Sequence, residues 1–181
     1  MSPIFPGIVA SGISGHLFTP EGSAYEIAQY TVPTGTTVQA VTFSIPSDYR
    51  HFRIEGMLMT NGATNPTWSV NGDSSSTRKG HHMWGYGSGV GANDQSGQVY
   101  FGYNPSTSYP SAFTMDWLDY GSTTKYKTMR GMSGSNTNGG TDEVAMWSGL
   151  YMSTNPITSI TLDGLGAQFS ANSSFTLIGY K

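Results

Sequence analysis

An all-β fold is what this sequence predicts: an antiparallel β-sandwich or jelly roll with an extended N-terminal arm. Three observations carry the prediction. The 181 residues include 24 Gly, and aromatic side chains make up 13%, a mixture suited to short strands joined by tight turns. Apolar residues alternate with polar ones at period two in several segments. No segment holds a helical period over three turns.

The elements follow in order. Residues 1–22 stand apart as an arm. They carry Pro3, Pro6 and Pro20 with scattered apolar residues, Phe5, Ile8, Val9, Ile13, Leu17 and Phe18 among them, and show no clean period. An idle arm has no use for so many exposed apolar side chains. The segment is therefore expected to order on a partner surface and to act as an attachment arm. Residues 23–181 are expected to form a single β-sandwich domain.

Strand candidates begin at Tyr25–Val32 and Val38–Phe43, ended by Pro33 and Pro46. In RHFRIEGML, Phe52, Ile54, Gly56 and Leu58 share one face, and His51, Arg53, Glu55 and Met57 share the other. That alternation marks a half-buried antiparallel strand with its charges outward. Thr67–Asn71 is closed by Asn71-Gly72, a hairpin signal. His81–Tyr86 is a strand candidate weakened by glycine. Residues 87–97 and 133–141 are expected to be loops, and Gln98–Gly102 a short strand. Phe113–Tyr120 places Phe113, Met115 and Trp117 opposite Thr114, Asp116 and Leu118. Tyr126–Met132, Glu143–Met152, Ile157–Leu162 and Ser174–Tyr180 complete the set. About nine or ten short strands at regular spacing suit a sandwich or jelly roll.

Composition excludes several functions. Eight Lys and Arg in all, with a net charge of -3, argue against a surface that tracks nucleic-acid phosphates. No apolar run is long enough to cross a bilayer, and the first residues lack the features of a signal peptide. Cys is absent, so no disulfide framework or thiolate metal site forms. His81 and His82 are adjacent and point to opposite faces of a strand, so the two cannot grip one metal.

Neither GxSxG nor GxxxxGK[ST] occurs, and the glycines of GYGSGVG precede no helix. Glycoside hydrolysis requires two carboxylates at a set separation. Asp116, Asp119, Asp142, Glu143 and Asp163 are the candidates, and nothing in their spacing pairs them. No catalytic residue, metal ligand or cofactor is expected. Aromatic residues are the better candidates for contact. Trp84, Tyr86, Tyr103 and Tyr109 fall in or beside expected loops, where Trp and Tyr stack on sugar rings or anchor interfaces.

Several stretches together resemble one family. PGIVASGISGHL (Pro6–Leu17), YEIAQYTV, VTFSIPSDYRHFRIEG, VNGD (Val70–Asp73), DYGSTTKYKTMRG (Asp119–Gly131), SGLYMSTNPITSITL and FSANSSFTLIGYK resemble small structural proteins of tailed bacteriophages, especially marine and cyanobacterial ones. The likeness spans nearly the whole chain. It departs at Ile178-Gly179-Tyr180-Lys181, where a Tyr before the Gly is expected.

The resemblance implies a non-enzymatic, jelly-roll-like virion protein on the outside of the particle. A capsid decoration or head fibre, homotrimeric and held to other capsid or tail proteins by its arm, fits best. The alternative is a tail-fibre receptor-binding module that holds host surface glycan through its loop aromatics.

Overall fold

The computed structural model describes residues 24–73, 75, 77–102, 107–135 and 142–181. The expected attachment arm and Tyr103 lie outside the described residues, as does the stretch 136–141 of the second expected loop. Within the described residues the chain is all-β, with no helix.

Eight strands build one large antiparallel sheet. They are β1 (Ala24–Thr31), β4 (His51–Leu58), β6 (Arg78–Tyr86), β7 (Gly89–Ser96), β8 (Ser111–Leu118), β9 (Lys127–Ser135), β10 (Glu143–Tyr151) and β13 (Ser174–Tyr180), in the order β1-β13-β4-β8-β9-β10-β6-β7. A second sheet runs β3 (Ala40–Ser44), β11 (Ser159–Asp163), β5 (Thr67–Val70), and β2 (Thr37–Val38) pairs with β12 (Phe169–Ser170). The sandwich expected from the sequence is present. The four-and-four division of a jelly roll is not the division these sheets make.

Period two decides which side chains are buried. Phe52, Ile54 and Leu58 of β4 point inward, as do Phe113, Met115 and Trp117 of β8 and Phe175 and Leu177 of β13. The small sheet covers them with Phe43, Trp68, Val70, Ile160 and Leu162, and together they make one core cluster. Trp68 and Trp117 join the two layers, with rings 4.7 Å apart at 89°. Edge-to-face contacts of this kind add to the area that each ring buries. Lys127 is a buried exception in sequence terms. Its ammonium donates to the carbonyl oxygens of Ser122 at 2.5 Å, Lys125 at 3.1 Å and Ser153 at 3.1 Å.

The turn at Asn71-Gly72 is as expected, with φ of 53° and 70° and Asp73 N–H bonded to the Val70 carbonyl at 2.8 Å. Three expectations fail. Residues 133–135, expected to open the second loop, instead end β9 and pair with β10. Residues 87–97 are not a loop: Gly89–Ser96 is β7, paired with β6 along its whole length. As the edge strand it buries little beyond Gln95, so it lacks the apolar alternation by which strands are recognised. Gln98–Gly102 forms no strand, only an isolated bridge from Tyr100 to Thr67.

Candidate functional site

Two regions of the large sheet carry the residues that matter for contact. One is the open end of its inner face. Trp84 lies directly opposite Gly91, and Tyr86 opposite Gly89. A Cβ at Gly91 would stand 2.4 Å from the Trp84 ring, and one at Gly89 3.0 Å from Tyr86. The glycines of GYGSGVG are therefore beds for these two rings, a packing that offsets the strand's loss of side chains. Trp84 also stacks on His82, with centroids 4.6 Å apart. The ring is half-buried and engaged on both sides. Tyr86, at the end of β6, and Tyr109 are exposed.

Beside Tyr86 in the register stands Glu143. It is buried, and its Oε1 has no hydrogen-bond partner. Burial pushes its carboxyl up to about 7. Asp116, Asp119 and Asp163 lie elsewhere and serve as ion-pair or hydrogen-bond partners.

The other region is the outer face of the same sheet. Its positions are set by cross-strand register. One row runs Val90–Gly85–Val144–Gly134–Ala112–Met57, and the next runs Ala92–Met83–Met146–Met132–Thr114–Glu55. Met57, Met83, Met132, Met146, Val144 and Val90 are between 47% and 89% exposed. On most half-buried sheets such positions are polar; here they are apolar across six adjacent strands.

Short residues beside the methionines leave hollows. A groove of about 650 Å³ lies among His81, Met83, Ala92, Asp94, Met146 and Ser148. A smaller one of about 300 Å³ lies among Ala112, Thr114, Met132, Gly134 and Val144.

Charge borders this face. Asp116 accepts from Arg53 at 2.6 Å and from Arg130 at 3.1 Å. Burial opposes its ionisation, but the two arginines outweigh that and hold its carboxyl below the usual range. Asp119 accepts from Arg50 at 3.0 Å and Lys125 at 3.4 Å, and Arg50 leads in holding its carboxyl low. In the same register row as Arg53, Asp116 and Arg130, at its β7 end, His81 Nε2 meets Asp94 at 2.7 Å.

Asp94, His81 and Ser148 are directly opposed on three neighbouring strands. Those are the residue types of an acyl-transfer triad. No hydrogen bond joins Ser148 to His81. The row is a polar border.

Sequence reasoning placed Met57 outward but did not join the methionines into one surface. The available signal was the recurrence of Met and Val at outward positions of several strands. Of the four aromatics expected to make contact, the structure brings Trp84 and Tyr86 together at one end. Among the described residues no group of three or more His, Cys, Asp or Glu could hold a metal ion. No family model matches the chain, and neither a curated protein nor a solved structure matches it.

Proposed function

We propose that this chain is a non-enzymatic structural protein of a bacteriophage virion, a capsid-decoration or head-fibre component exposed on the particle surface. The observation that supports assembly as its work is the outer sheet face, where exposed Met83, Met146, Met132 and Val144 are neighbours across β6, β10 and β9, with Val90 and Met57 exposed on the same face beyond them. A contiguous apolar surface of that extent marks an interface. The phage setting rests on the sequence resemblance. Electron cryo-microscopy and mass spectrometry of the purified particle test it. This sandwich on the capsid shell is the expected result, and its absence from the particle would overturn the reading.

A second reading is a tail-fibre module that holds host glycan. The exposed Tyr86 ring beside Trp84 favours it. Saturable glycan binding, lost in Tyr86→Ala with the fold intact, is its test.

A further inference from the structure

We infer that the outer face of the eight-stranded sheet packs against the same face of a second copy of this chain, about a two-fold axis. The inference rests on the reading of this chain as an assembly component, names the surface and its partner, and takes a two-fold pair in place of the homotrimer that the sequence resemblance implies.

The first argument is area. Six large apolar side chains, each about half exposed or more, leave on the order of 600 Å² of apolar surface. That reaches the top of the range for a monomer's largest patch and approaches the ~800 Å² that each partner gives a standard interface.

The second argument is shape. A two-fold interface must be self-complementary, and this face carries both halves of the fit. Met132 and Met146 are directly opposed on β9 and β10 and form a ridge. The groove at Met83 and Ala92 lies on one side of the ridge, and the hollow at Ala112 and Gly134 on the other. A two-fold copy lays its ridge in the hollows. Methionine, unbranched and polarisable, adapts to that packing.

Charge is the third argument. The row from Val90 to Met57 carries none, and the methionine row carries none before Glu55. The ion pairs stand in the next row, which runs Asp94–His81–Ser148–Arg130–Asp116–Arg53 along one side of the methionines with acids and bases paired, so two identical faces meet without charge among the methionines themselves.

The full-length chain tests this in solution by sedimentation and light scattering at tens of micromolar. Two chains per particle are expected. Met83→Glu with Met146→Glu should weaken association at least about tenfold, with the circular dichroism and melting temperature kept. A second variant does not depend on that fold being preserved. The chain has no Cys, so a mixture of Met132→Cys and Ala92→Cys chains, ridge against groove, should oxidise to a covalent pair with one of each, and Tyr126→Cys, exposed on a turn, should not.

A single-chain or three-chain species in the unaltered protein would overturn the inference. So would association that survives the double substitution. Association lost on deleting residues 1–22, with Met132→Cys and Ala92→Cys unlinked, would overturn it in favour of the arm as occupant. None of these results bears on whether the chain is found in a virion, which the particle experiment decides separately.

Discussion

His82 lies flat on Trp147, ring centroids 4.7 Å apart and planes 18° from parallel. Trp84 covers its other face at 4.6 Å. The Gln95 amide oxygen accepts the Tyr100 N–H at 2.9 Å, so its NH2 group is turned toward His82 Nδ1, 3.0 Å away. Nδ1 is therefore the acceptor and the ring proton sits on Nε2. Burial pushes the His82 pKa down. With the folded value below the unfolded 6.5, stability is unaffected above pH 6.5 and is lost as pH falls from there toward the folded value. Glu143 titrates with the opposite sign in the same window, so chemical denaturation of Glu143→Gln between pH 7 and 5 should show this loss, and adding His82→Gln should flatten it.

Glu143 acts in the opposite sense. Its folded pKa, about 7, lies above the unfolded 4.5. Its contribution is complete below pH 4.5 and is lost as pH rises from 4.5 through 7. One pKa unit corresponds to about 1.4 kcal/mol, and the second oxygen keeps part of its solvation, so a loss of about 2 kcal/mol is expected. Glu143→Gln should recover that amount at pH 8 and change little at pH 4.5. Equal effects at the two values would refute the assignment.

The two faces of β4 should differ in cost. Ile54 is fully buried, and Ile54→Ala should destabilise by roughly 2–5 kcal/mol. Arg53 pairs with Asp116 at a part-exposed site, and Arg130 remains to hold that carboxylate. Arg53→Ala should cost under about 1 kcal/mol. Comparable losses in urea titrations would show that the faces are misassigned.

Gly91 is the bed of Trp84, and a methyl group there meets the indole at 2.4 Å. The ring cannot swing away, because His82 is stacked on it. Gly91→Ala should destabilise by roughly 1–3 kcal/mol, as overpacking does, and shift Trp84 fluorescence. Gly121→Ala, where the Cβ enters open space, should do neither.

Strands with one buried face were legible, and the reason is visible at β4, β8 and β13. There the core imposes strict alternation, and Ser174–Tyr180 was read to the residue. β7 was not legible because an edge strand with glycines under a neighbour's rings carries no alternation of its own. Phe169–Ser170 was missed because two residues are too few to show a period. The site was half legible. Trp84 and Tyr86 were singled out, yet the glycines that fix them are paired by register. The outer face escaped for the same reason: its methionines lie far apart in the sequence and become neighbours only when strands of distant origin are laid in order.

β13 separates β1 from β4 in the large sheet. β4 is made well before its neighbour on that side, Ser174–Tyr180. On the ribosome the edge of β4 must stay open until more than a hundred further residues have been added. Closure of the sheet is thus set by a contact of very long sequence separation, and such contacts fold slowly. During that wait the backbone of β4 is an unsatisfied edge that can pair with another nascent chain. The yield of native protein should therefore depend on how crowded its own translation is. Arrest of translation just before residue 174, followed by limited proteolysis of the stalled chain, would show β4 cleaved where the released protein resists.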